Sequence, residues 1–172
     1  MTVGVAPDVV VYVCTNSIPR GWRLPRQWSQ DGAHVLVREV PCSGKMDGQY
    51  LFHALEGGAR GCCVVACPKG ECHLAQGNYR AEIRVRTAQR LLKEIGLEPE
   101  RAELVHGSAD DSPQEIEQLV RGAVERICAL GTSCSICCGE SSAEPWSSSA
   151  RSGSKPISFN RHRAVRTRIS AL

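Results

Sequence analysis

Aromatic side chains are few, three Trp, three Tyr and two Phe among 172 residues, and they do not interleave with basic residues as a base-stacking surface does. That scarcity, with a formal net charge of only +3, argues against a nucleic-acid partner. Much of the basic excess lies late in the chain, on Arg151, Lys155, Arg161, Arg163, Arg166 and Arg168. Long apolar runs are missing too. Nothing approaches the roughly 18 to 20 residues of a membrane helix, so no membrane insertion is expected. The first residues lack a basic stretch and a small-residue cleavage site, and their apolar segment reads as a strand, which points to a cytoplasmic protein.

What the chain has in plenty is cysteine, ten in all. In a reducing compartment, grouped thiols ligate metals or do redox chemistry more often than they form structural bridges. Four of them stand beside short, valine-rich runs of the kind that form buried parallel strands. Val9 to Val13 leads to Cys14, Val35 to Val40 leads to Cys42, and Cys62 to Ala66 leads to Cys67, with Cys72 one short loop further on. Cys14 and Cys42 are 28 residues apart, and Cys42 and Cys67 are 25 apart. Both steps are close to the ~30 residues of one strand and its crossover. Each therefore returns to the same sheet edge, the carboxyl edge at which open α/β sheets bind ligands.

Between the strands, Ile18 to Gln30, with Pro19, Gly21, Pro25, Trp22 and Trp28, predicts an irregular or only partly helical first crossover. Asp47 starts a short helix that Gly57 and Gly58 stop. Ala81, Val85, Ala88, Leu92 and Ile95 step by three and four and predict one buried stripe on a long helix, with Arg80, Arg84, Arg86, Arg90 and Lys93 largely outside it. A fourth strand spans Ala102 to His106. Ser112-Pro113-Gln114-Glu115 then marks a capping box for a last helix carrying Ile116, Leu119, Val120, Ala123, Val124 and Ile127. The alternation predicts an α/β fold: an open, mostly parallel four-stranded sheet with flanking helices, Rossmann-like or flavodoxin-like. Residues 1–131 are the expected domain, and 132–172, rich in Ser and Arg, the expected irregular tail, disordered or partner-docking.

Four converging thiolates, Cys14, Cys42, Cys67 and Cys72, suit a structural zinc or an iron-sulfur cluster, and ligand number alone does not separate the two. Structural zinc usually takes two close pairs, whereas two of these ligands are single residues on separate turns, which favours iron and sulfur. Backbone amides near Gly44, Gly70 and Gly77 are candidate donors to the sulfurs, and Lys45, Lys69 and Arg80 are candidate counter-charges. His73 is expected beside the centre or in a merely structural role rather than as a ligand, since a Rieske arrangement needs two His and no suitable second one accompanies it. Cys62, Cys63 and Cys128 read as buried small hydrophobes. Cys134, Cys137 and Cys138 supply at most half of a second metal site.

Four segments carry a likeness to a known family: Val40-Pro41-Cys42-Ser43-Gly44-Lys45-Met46-Asp47, Ala54-Leu55-Glu56-Gly57-Gly58-Ala59, Cys67-Pro68-Lys69-Gly70-Glu71-Cys72-His73 and Gly77-Asn78-Tyr79-Arg80-Ala81-Glu82. They resemble the delta, or iron-sulfur, subunit of methyl-viologen-reducing hydrogenase, which also occurs fused to heterodisulfide-reductase-type proteins. The likeness spans about Val9 to Leu130. It implies a 2Fe-2S cluster, with Cys14, Cys42, Cys67 and Cys72 available to hold it, and electron transfer without substrate chemistry. The implied neighbours are a hydrogenase or formate dehydrogenase module and a flavin-containing heterodisulfide-reductase-like subunit, in anaerobic metabolism. In related assemblies the same module serves benzoyl-CoA reductase of the anaerobic type. Relatives commonly carry Cys-x-x-Cys after the first strand, where this chain has Cys14 and Ser17. Ser17 is therefore a candidate oxygen ligand, and four thiolates remain without it. Two other readings stand beside this one: a zinc-stabilised binding module, and a thiol-dependent oxidoreductase using Cys67 or Cys72 with His73 as base.

Overall fold

The computed structural model describes residues 6–130. The expected tail at 132–172, with Cys134, Cys137 and Cys138, lies outside the described residues. One sheet is built from β1 (Val9–Cys14), β2 (Gln27–Gln30), β3 (Ala33–Val40), β4 (Gly61–Ala66) and β5 (Ala102–His106). The strand order is β2-β3-β1-β4-β5. β1, β3, β4 and β5 run parallel, while β2 pairs antiparallel with β3. The helices are α1 (Gly48–Glu56), α2 (Gly77–Glu94) and α3 (Pro113–Ala129). This is the mostly parallel α/β sheet read from the sequence, with all four expected strands and one more. None of these helices is long and apolar enough to cross a membrane.

β1 belongs to both halves of the core. All six of its residues are buried, because β3 and β4 flank it and both of its faces are covered. Val9, Val11 and Val13 join one cluster with Val35, Val65 and, from α3, Ile116, Val120 and Ile127. Val10 and Tyr12 join the other with Leu51 of α1 and Val85, Ala88 and Leu92 of α2. Burying each such Val stabilises by roughly 1.5–3 kcal/mol over leaving it exposed. A run without a charged residue is therefore driven to the centre of the sheet.

The first crossover holds no helix. Asp31 and Gly32 take φ of 49° and 77° and close a two-residue hairpin in which Gln30 pairs with Ala33. A primed hairpin turn needs residues that tolerate positive φ, and Asp-Gly is a favoured pair. Trp22, Leu24 and Trp28 then pack on the cluster beneath α3. Arg121 of that helix lies 5.6 Å from the centroid of Trp28. Ile95, expected on the buried stripe of α2, is instead 58% exposed. The helix stops at Glu94, and Gly96 at φ 81° turns the chain away.

α3 begins at a reciprocal cap. The Glu115 amide donates to Ser112 Oγ at 3.3 Å, and the Ser112 amide donates to Glu115 Oε2 at 2.7 Å. Those amide and hydroxyl partners hold the Glu115 carboxyl below the usual carboxylate range. Its contribution to stability is therefore present at neutral pH and lost as the pH falls through its lowered folded value. Ser112→Ala removes one half of the cap and is expected to cost about 1 kcal/mol. A urea midpoint unchanged from wild type would show that the cap does not secure the helix.

Candidate metal centre

The chain moves outward from β1 to β3, then passes back over β1 to reach β4 and β5. The strand order reverses between β1 and β4, and such a point opens a crevice at the carboxyl ends of the strands. Cys14 is the last residue of β1, and Cys67 directly follows β4. The register that pairs Val13 with Val65 sets them side by side, their sulfurs 3.8 Å apart. Both are buried.

The other two cysteines arrive on loops. Cys42 precedes a short 3-10 turn, Ser43–Lys45, and Cys72 lies in the connection between β4 and α2. Gly44 and Gly77 let these loops meet. A Cβ on Gly44 would stand 2.3 Å from the Gly77 Cα, and one on Gly77 would stand 2.5 Å from Cys42 Sγ and 3.0 Å from Cys72 Sγ. No side chain fits at either position. Just before α2, Ala75 and Gln76 take left-handed φ of 38° and 61°, an unfavourable backbone for residues with a Cβ. This bend brings the amides of Leu74, Gly77 and Asn78 to Cys72, the Gly77 amide donating to its sulfur at 3.1 Å. The result is a backbone nest for negative charge.

The four sulfurs share one field. The hydrogen bond with Cys67 pulls the Cys14 thiol down to about 6, and against burial the amides of Asn16, Ser43 and Ser17 add to that pull. Cys67 is pushed far above the usual thiol range by the same bond, then by burial and by the charges of Cys14, Cys72 and Cys42. Burial raises Cys42, and the Gly44 amide opposes it. Burial works to raise Cys72 as well, but there the amides of Leu74, Asn78 and Gly77 prevail and the thiol is lowered. Cys42 and Cys72 also meet side chain to side chain.

Three further residues hold the loops in place. The buried Asn78 donates from Nδ2 to the Pro68 carbonyl and accepts from the Tyr79 amide at 2.9 Å. Arg84 donates through Nη1 to the carbonyls of Gly44, at 2.6 Å, and Met46. His106 Nδ1 donates to the Cys67 carbonyl at 3.1 Å. None of the three was among the expected site residues. Asn78 stood inside a segment that carried the family likeness, whereas Arg84 was indistinguishable from the exposed arginines around it.

The expected neighbours occupy varied positions. Ser17 is fully buried, and its hydroxyl donates to the Cys14 carbonyl at 2.8 Å with the Val65 carbonyl at 3.4 Å. Lys45 is exposed and lines an apolar cavity of about 360 Å³ with Tyr12, Cys42, Met46 and Tyr50. Lys69 pairs with Glu82 at 3.1 Å, and Arg80 is exposed. His73 is exposed and lines a polar cleft that reaches Cys67, with Glu71 and Asp110. Cys62 and Cys63 are sealed within β4, where burial pushes the Cys62 thiol up to about 12 and the Cys63 thiol higher still. Cys128 is half-buried against the cluster beneath α3.

Among the described residues, no three potential ligands already close on one point as a single ion requires. The sulfurs fall into two pairs, Cys14 with Cys67 and Cys42 with Cys72. A donor set made only of thiols, surrounded by amides and closed over by two glycines, fits an anionic iron-sulfur group.

Fold and rim together define a doubly wound α/β protein built around a thiol-lined centre. The chain belongs to the methyl-viologen-reducing hydrogenase delta subunit family, whose model matches residues 9–131. It is similar to the iron-sulfur subunit of the F420-non-reducing hydrogenase of Archaeoglobus profundus, 44% identical over 70 residues that make up 41% of this chain and 51% of that protein. The chain thus spans about half the length of that relative. It is also similar to the vhu iron-sulfur subunit of the F420-non-reducing hydrogenase of Methanocaldococcus jannaschii, 40% identical over 58% of this chain and 73% of that protein. A third relative, from the ferredoxin:CoB-CoM heterodisulfide reductase of Methanosarcina mazei, is 37% identical over 40% of this chain and only 9% of its own length. The family expected from the four segments is therefore the family found, and the chain is a relative of redox subunits.

Arg84→Met keeps the stem of the side chain and removes its two bonds to the Cys42 loop. The change is expected to cost about 1.5–3 kcal/mol, the range for hydrogen bonds that involve a charged group, measured as a lower urea midpoint. A midpoint equal to that of wild type would show that Arg84 does not hold the loop.

Proposed function

We propose that this chain is a non-catalytic electron-transfer subunit that carries one 2Fe-2S cluster on Cys14, Cys42, Cys67 and Cys72. The supporting observation is that the sulfurs of Cys14 and Cys67 lie 3.8 Å apart while those of Cys42 and Cys72 both lie beside Gly77, since each of two irons takes two protein sulfurs. When bound, such a cluster accepts and passes on single electrons. What the chain's own residues do is prepare for the added charge. Amides of Gly77, Leu74 and Asn78 serve Cys72, those of Asn16, Ser17 and Ser43 serve Cys14, and that of Gly44 serves Cys42. These donors are backbone groups in tight turns, so they stabilise the reduced state without moving. Ser17, with its hydroxyl bonded to the Cys14 carbonyl, steadies the turn after β1 rather than replacing a thiolate.

The named relatives are subunits of hydrogenases and of a heterodisulfide reductase. They support a place in a complex of the hydrogenase or heterodisulfide reductase kind. Within it the proposed neighbours are a hydrogenase or formate dehydrogenase module and a flavin-containing heterodisulfide-reductase-like subunit, in the cytoplasm, with a benzoyl-CoA reductase-type complex as the other proposed setting.

Protein reconstituted without oxygen is expected to hold two irons and two sulfides per chain, to absorb in the visible, and to give a paramagnetic resonance signal after dithionite. Gly77→Ala, whose Cβ would occupy the space beside Cys42 and Cys72, is expected to lose most of the iron while keeping its far-ultraviolet circular dichroism. A colourless wild-type chain with one zinc would overturn the proposal in favour of a structural module. Native mass spectrometry of the complex is expected to find a flavin-containing subunit beside the chain, and a chain recovered alone would remove the relay.

A further inference from the structure

Electrons must reach the centre from outside, and the four sulfurs differ in how near they come to the surface. Cys14, Cys42 and Cys67 are buried, and Cys72 is not. The surface around Cys72 is unusual. Six large apolar side chains are exposed among the described residues, and three of them, Leu74 at 51%, Tyr79 at 43% and Ile83 at 64%, lie within eleven positions of Cys72.

Helical geometry joins them into one strip. α2 buries Ala81, Val85, Ala88 and Leu92, so Tyr79, Ile83, Arg86 and Arg90 fall on the reverse of the helix. Ile83 is six residues beyond Gly77, about 9 Å along the axis at 1.5 Å per residue. The apolar spot therefore begins at the Cys72 nest and ends among arginines. Arg86 and Arg90 are each 73% exposed in their side chains, and Arg80 is exposed beside them. Glu82 is already shared between Lys69 and Arg86, at 3.1 Å and 2.7 Å, and Glu94 lies 4.0 Å from Arg90, so Lys69, Arg80, Arg86 and Arg90 outnumber the two carboxylates and leave the strip with a positive balance.

Resting on the electron-transfer reading above, we infer that this strip, from Leu74 to Arg90 with Cys72 at one end, is the docking surface for an acidic electron-transfer protein. The partner presents an apolar spot ringed by carboxylates. The arginines steer it into place, and the apolar contact excludes water next to Cys72. A cluster held by the four cysteines would receive one electron from the partner's reduced centre, the partner being oxidised and the cluster reduced by one electron. No bond is made or broken.

The test is anaerobic stopped-flow reduction of the iron-loaded full chain by an acidic ferredoxin, itself reduced beforehand. For wild type the second-order rate constant is expected to fall as salt rises. The double variant Ile83→Asp with Arg86→Glu is expected to be at least about tenfold slower at low salt, as loss of steering and contact demands. Arg26→Glu makes the same reversal as Arg86→Glu, two of the double variant's three units of charge, on the loop entering the edge strand β2, and is expected to stay within about twofold of wild type. Dithionite, which needs no docking surface, is expected to reduce all three proteins equally, so a slow double variant cannot be ascribed to a damaged centre. A wild type no faster than the double variant, or a rate that ignores salt, overturns the docking surface while leaving the centre intact. A chain that takes up no iron at all sinks the relay and the docking surface together.

Discussion

Two stretches of backbone meet in this protein with no side chain between them, and the centre depends on that meeting. Gly44 and Gly77 come from loops more than thirty positions apart, one leaving β3 and the other opening α2. Their contact places Cys42 and Cys72 around the same Cα atom. Asn78 fastens the connection that carries Cys67 and Cys72, and Arg84 fastens the loop that carries Cys42. Both belong to α2, so one helix secures both halves of the loop-borne pair. The contact could not be tightened by larger residues, since any Cβ would displace a sulfur or a backbone atom.

The two pairs of sulfurs have different foundations. Cys14 and Cys67 stand at the ends of β1 and β4, where the parallel ladder fixes their separation. Cys42 and Cys72 depend on turns, left-handed residues and side-chain clamps. The rigid pair follows from fold class alone, because adjacent parallel strands at a reversal of order must end side by side. The loop pair requires particular residues. Here the strained φ values at Ala75 and Gln76 find their explanation: without that bend the amides ahead of α2 would point elsewhere.

Most of the frame was legible from residue patterns. Runs such as Val9 to Val13 have no reading other than a buried strand or a short buried helix segment, and their spacing with respect to the cysteines favours the strand. The Ser112 to Glu115 signature marks the start of α3 to the residue. The edge strand β2 was less visible because Pro19, Gly21 and Pro25 make the whole crossover look irregular. The Asp31-Gly32 pair was nonetheless a hairpin signal. Ile95 continued the apolar period of α2 beyond the point where Gly96 ends the helix, so periodicity overstated its length by one position. The convergence of Cys14, Cys42, Cys67 and Cys72 was readable as topology. The clamps were not, since whether Arg84 turns inward to carbonyls or outward to water is decided by neighbours remote in the sequence.

The polar character of β2 bears on how the molecule associates with others. Gln27 and Ser29 are exposed on a strand of only four residues. At the opposite margin β5 has only five residues, and Gln89 of α2 occupies the Ala102 carbonyl at 2.7 Å. Short, polar or already occupied borders are poor templates for annealing a foreign strand. Oligomers made by continuing the ladder from one molecule into the next are disfavoured, and assembly is left to helix surfaces and to the rim where the sulfurs gather.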